Sequence, residues 1–274
     1  MPSRQQTVQH AVAIFGEALE AYGRSPANGW LGIYQALLWY EPTGGRGSRA
    51  LPHIIDSDKL RRPPGRGRAR ADAPATAWQQ RGAAVEAYLA QRMGCEAHEV
   101  APRVDRLMRK RAYRGFQRQN PLGIAFIGLV HHSLSVFGDD NVTYETEPMA
   151  DEVFPGIRFP GRSNAPSIDI LVRKDRLPRA VVSVKWSLRH DRINDLTNEC
   201  PMYKQAASWG RNKLDYVVVT NEYDPARLDK VLGDSCIDAV VHVHKPAVVE
   251  VAGLDGRLGV LLDLTDLFDV THRL

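Results

Sequence analysis

Apolar residues in the first forty positions recur every three or four places: Val8, Val12, Phe15 and Leu19, then Trp30, Ile33, Leu37 and Leu38. That period puts them on one face of a helix, so the sequence predicts two helices joined at Ser-Pro-Ala-Asn-Gly, residues 25–29. From about Glu41 to Pro74 the periodicity stops, and Gly, Pro and Arg dominate. Such a stretch predicts a mobile loop that orders on a partner. A third helix is expected from Trp78, with Gly82, Val85 and Leu89 on one face, and a basic helical segment follows at 103–118. Pro121 should end that segment, and the apolar run LGIAFIGLVHHSLSVFG predicts a further helix.

After Gly138 the texture changes. NVTYETEP, SIDILVR, RAVVSVKW, DYVVVTNE and DAVVHVHK are short, β-branched-rich runs bounded by polar residues, as strands are. Between the third and fourth lies a polar stretch with Leu196, Cys200, Tyr203 and Ala207 at helical intervals, and PARLDKVLG separates the last two strands. The C-terminal LGVLLDLTDLFDVTHRL predicts an edge element and a short helix. The layout is α/β, a mixed sheet flanked by helices, with an α-helical N-terminal extension. Two regions follow: residues 1–75, helical with the Arg/Gly/Pro-rich loop at 41–74, and a core over 76–274.

Composition narrows the class. At 274 residues, 43% hydrophobic and 25% charged, the chain suits a folded soluble protein. No apolar run approaches a membrane span, and the N-terminal segment is too polar for a secretory signal. Cys95, Cys200 and Cys236 stand far apart, without metal-ligand or disulfide spacing, so a reduced cytoplasmic protein is expected. The net charge is only +4, yet five arginines fall between Arg61 and Arg70, and a second basic run spans Arg103 to Arg118. Both clusters suit a polyanion, and both also suit a solvated surface.

The candidate chemistry lies on two neighbouring strands. Asp169 shares a strand face with Leu171, and Ser183 shares one with Lys185. A carboxylate on one strand and a lysine ending the next would converge at one sheet edge, where a divalent ion and a water could sit. Magnesium takes hard oxygen ligands from one or two carboxylates and completes its shell with water and phosphate. A lysine there can orient or deprotonate the attacking water. Glu199, fourteen positions after Lys185, could be turned back toward Asp169 by the following helix.

Asp169, Ser183-Val184-Lys185 and Glu199 together resemble the PD-(D/E)XK nuclease motif in its relocated-glutamate form, found in the CCGG family of type II restriction endonucleases. The likeness continues in Arg189-His190-Asp191-Arg192, which matches that family's Arg-x-Asp-Arg element. It extends upstream to Trp78-x-x-Arg81-Gly82-x-x-x-Glu86 and covers roughly residues 76–245. The resemblance implies a magnesium-dependent endonuclease with Asp169 and Glu199 as metal ligands, Lys185 at the water and Glu86 supporting the metal shell. It implies that Arg189, Asp191 and Arg192 read a CC/GG half-site. That fits base chemistry, since an arginine fork matches guanine N7 and O6 and a carboxylate accepts from the cytosine amino group. The partners implied are double-stranded DNA, a second copy of the chain in a homodimer or a homotetramer, and a separate cognate DNA methyltransferase. Cutting before the core would leave 5′-phosphates and a 5′ overhang. A structure-selective nuclease of the same fold, or a DNA-binding module without activity, is the alternative.

Two departures from the pattern stand out. Pro166 lies three residues before Asp169, so the literal Pro-Asp pair is missing. Pro201 would break or kink a helix already under way, or, if the helix starts near Asn198, would fall in its tolerant first turn; Asp195 is the substitute ligand should Glu199 be aimed elsewhere. Asp191 could instead cap a helix. His131, His132, His242 and His244 read as structural residues, and Trp186 and Trp209 as packing the reader helix onto the sheet.

Overall fold

The computed structural model describes residues 121–222, 225–252 and 260–274, together with 8–9, 12–13, 87, 90–91 and 94–99. Glu86, the Trp78 helix start and both arginine-rich clusters lie outside the described residues.

The described core begins with helix α1 (Pro121–Phe137), and strand β1 (Val142–Thr146) follows. Pro121 opens α1 rather than interrupting it, as suits a residue with fixed φ and no N–H to donate. A short helix α2 (Ala150–Val153) then leads to β2 (Ile170–Lys174) and β3 (Leu177–Lys185). Asp175 and Arg176 between them have φ of 53° and 66°, and Lys174 pairs with Leu177. Two left-handed residues between paired ends make a type I′ turn, whose twist matches that of the strands it joins.

The rest alternates: α3 (His190–Trp209), β4 (Asp215–Thr220), α4 (Pro225–Leu232), β5 (Ala239–His242), α5 (Lys245–Ala252), β6 (Leu262–Asp263) and α6 (Leu264–His272). The sheet order is β1-β2-β3-β4-β5-β6. The first three strands are antiparallel and β3 through β6 run parallel. Helices α3, α4 and α5 are the crossovers that parallel pairing demands. The central strands are almost wholly apolar because both sheet faces are covered: Val181, Val182 and Val184 on β3 and Val217, Val218 and Val219 on β4 are buried. Each such side chain contributes about 1.5–3 kcal/mol of burial.

Helix α1 covers the face reached by Trp186, whose ring meets Phe126 edge-on at 5.3 Å. Helix α3 covers the other, where Tyr203 stacks on Tyr216 at 6.0 Å. The architecture is therefore α/β with a six-stranded mixed sheet flanked by helices, compatible with a restriction-endonuclease-like arrangement. No helix among the described residues is long and apolar enough to cross a membrane.

The structure corrects the readings of the cysteines and Trp209 and decides two alternatives left open at the start of α3. Cys200 and Cys236 form a disulfide, tying α3 to the segment before β5. A separation of 36 residues carries no sequence signal, because only the folded crossover brings the two positions together. Helix α3 starts at His190 rather than near Asn198 and runs through Pro201, which has no N–H to offer the Thr197 carbonyl. Its N-cap is Arg189, which makes no side-chain capping bond, so Asp191 is not the cap. Trp209, expected to pack the helix, is 60% exposed.

Candidate active site

The site is built where β2 begins and β3 ends. Because β2 and β3 are antiparallel, the residue just before β2 faces the carboxyl end of β3. That residue is Asp169. Its Oδ2 accepts hydrogen bonds from the Ser183 hydroxyl at 3.2 Å and the Val184 backbone N–H at 2.8 Å. It also accepts from the Lys185 ammonium in a short charge-assisted bond. All three fall on Oδ2, so Oδ1 makes no hydrogen bond among the described residues. Ser183 and Lys185 share a face, as strand alternation requires, while Trp186 turns to the α1 side.

Glu199 enters from α3. It lies one turn before the buried Tyr203, and that helix face packs on the sheet. Burial pushes the Glu199 carboxyl above the usual carboxylate range, while Arg162 and Lys185 pull it down and Asp195 and Asp169 push it further up. Lys185 and Asp169 thus act on the Glu199 carboxyl electrostatically. Burial also pushes the Tyr203 hydroxyl up, reinforced by Glu199 and Asp169, so it stays neutral as an aromatic floor.

Arg162 carries no sequence signal that would single it out. Its Nη2 lies 2.8 Å from Glu199 Oε1 and 3.0 Å from Asp195 Oδ1. Asp195, the considered substitute ligand, is engaged by Arg162 and lies 3.6 Å from Arg192. Arg162 belongs to the aperiodic stretch after α2, where no regular spacing betrays a functional position.

The Arg-x-Asp-Arg element occupies the start of α3. Arg189 and Asp191 are paired at 2.8 Å and strongly exposed, and Arg192 is 42% exposed. The four leading N–H groups of a 20-residue helix add positive potential there. Glu222, a buried carboxylate just past β4, holds the turn that presents this element. Its Oε2 accepts from the Leu188 backbone N–H at 2.9 Å and from Arg227 at 3.0 Å. The only sequence hint was an acid directly after an apolar strand.

The donor set suits a hard divalent ion: Asp169 offers Oδ1, and Glu199 offers Oε2, which no described residue binds. Among the described residues no three His, Cys, Asp or Glu side chains gather as a ready-made metal cage. Magnesium held by one or two carboxylates plus water and phosphate needs no such cage. The histidines take structural places. His131 Nε2 lies 2.9 Å from the Tyr144 carbonyl oxygen, and His242 is fully buried with Nδ1 accepting from the His244 N–H. Comparison of the chain with protein-family models and with curated proteins finds no match.

Proposed function

We propose that the protein is a magnesium-dependent type II restriction endonuclease that cuts double-stranded DNA at a short palindrome with CC/GG half-sites. One observation carries the reading: Asp169 and Lys185 pair at the carboxyl end of β3 within electrostatic reach of Glu199, and the strand leads directly into an exposed Arg189/Asp191/Arg192 cluster at the start of α3.

In this reading Asp169 and Glu199 would hold magnesium, which would polarise the scissile phosphate and acidify a bound water. Lys185, fixed by Asp169, orients the attacking water and offsets charge building on phosphorus. The water oxygen bonds to phosphorus as the bond to the 3′ oxygen breaks, leaving a 5′-phosphate and a 3′-hydroxyl. Ser183 and the Val184 N–H hold Asp169 in place. Glu86 supports the metal shell on the strength of the motif alone.

Arg189 and Arg192 would offer their forks to guanine edges, and Asp191 would accept from the cytosine amino groups. Reading both halves of a palindrome needs two copies on a two-fold axis, so a homodimer is the working unit, or a tetramer of two such dimers. A separate methyltransferase would protect the host sites. A cytoplasmic location follows from the DNA target and no longer from the cysteines.

Lys185→Ala tests the reading. DNA binding should stay within a few-fold of wild type in a gel-shift assay, while cleavage falls at least about 100-fold. Equal loss of both would reject the role given to Lys185.

A further inference from the structure

Helix α3 carries two acids one turn apart, Asp195 and Glu199. Like charges at that spacing repel. A single guanidinium nitrogen, Nη2 of Arg162, bridges both at 3.0 and 2.8 Å. On the Glu199 side the bridge is mostly shielded, since that side chain is only 15% exposed, whereas Arg162 reaches in from the surface.

The segment bearing Arg162 is docked on the same helix. Ile157 and Phe159 are buried, and the Phe159 ring meets Tyr203 edge-on at 5.3 Å. Gly161, at φ +75°, then turns the chain so that the Arg162 N–H reaches the Phe159 carbonyl at 3.2 Å. Phe159 on Tyr203 and Arg162 on Glu199 are thus successive contacts, four residues apart along α3, between one fixed loop and one helix face.

We propose that Arg162 is a positioning residue for the metal site. By holding Glu199 Oε1 and bracing on Asp195, it fixes the carboxylate plane so that Oε2 is presented toward Asp169 and Lys185. This rests on the nuclease reading given above. Ligating carboxylates are commonly oriented by a partner on their second oxygen, and losing that partner weakens metal binding or activity by about 10–100-fold. Guanidinium suits the task because it spans two carboxylates and never loses its charge.

The test is Mn2+ binding to the full chain without DNA, followed by electron paramagnetic resonance, in wild type, Arg162→Gln, Arg162→Lys, Glu199→Gln and the Arg162→Gln/Glu199→Gln double variant. Arg162→Gln should weaken Mn2+ binding by about 10–100-fold, with Arg162→Lys between it and wild type. In the Glu199→Gln background, Arg162→Gln should add almost nothing, because its effect runs through that carboxylate. In cleavage assays the deficit should lie in the magnesium concentration required, and saturating metal should restore the rate to within a few-fold. Unchanged Mn2+ affinity in Arg162→Gln would overturn the proposal while leaving the nuclease reading intact. So would an equally large loss in the Glu199→Gln background, because Arg162 would then act elsewhere. A wild-type chain that neither binds Mn2+ nor cleaves would overturn both together.

Discussion

Replacing Glu222 by alanine tests whether one buried carboxylate holds the turn between β3 and helix α3. Glu222 is 4% exposed and Leu188 is fully buried, so truncation strands the Leu188 N–H without an acceptor and without water. An orphaned buried backbone donor costs about 1–3 kcal/mol. The Arg227 partner is 35% exposed, so losing that pair adds at most about 1 kcal/mol. Glu222→Ala should therefore lose about 1–4 kcal/mol. Glu222→Gln keeps an amide oxygen for Leu188 and should lose only about 1 kcal/mol. Urea unfolding resolves the two: at a slope of about 3 kcal/mol/M, the alanine midpoint should fall by about 0.3–1.3 M with the slope unchanged. An alanine variant within about 0.5 kcal/mol of wild type would refute the tether. A glutamine variant as damaged as the alanine one would show that charge, not the acceptor, holds the turn.

Three further outcomes follow from particular residues. Arg192→Ala should lose about 1–3 kcal/mol of discrimination against sites altered at the base it reads, measured as a ratio of cleavage rates, whereas uniform weakening on all DNA would make it a phosphate contact. The Cys200–Cys236 bond closes a loop of 36 residues; by loop-closure entropy it contributes about 4 kcal/mol, so Cys236→Ser should lower Tm by roughly 8–16 °C in non-reducing buffer, and an unchanged Tm would mean the bond contributes nothing. Burial pushes His242 down to about 3 from its ordinary 6.5. A depressed base contributes stability above pH 6.5 that is lost as pH falls toward 3, so this histidine adds up to about 1.4 kcal/mol per pH unit to the acid limb. His242→Gln should flatten that limb in pH-dependent unfolding, and an unaltered slope would show that His242 does not govern it.

The strands were legible because burial on both sheet faces demands continuous apolar runs, and Val181–Val184 and Val217–Val219 supply them. The meeting of Asp169 with Lys185 was legible for a related reason: antiparallel neighbours place the start of one strand beside the end of the next. The start of α3 was not legible because Pro201 competes with the apolar spacing of Leu196, Cys200 and Tyr203. In the fold that buried face holds the helix together across the missing hydrogen bond. Arg162, Glu222 and the disulfide were not legible, since each joins segments that only the finished topology brings together. Trp209 was over-read: a large aromatic predicts burial on average, and this one stands at a helix end pointing outward.

The central claim is tested most directly by incubating the purified protein with unmethylated phage DNA, with magnesium or with EDTA, and mapping the ends on a gel. The account predicts discrete fragments only with magnesium, each ending in a 5′-phosphate at a palindrome with CC/GG halves. A smear would contradict the sequence-reading role of Arg189, Asp191 and Arg192, and DNA left intact under both conditions would contradict the nuclease itself.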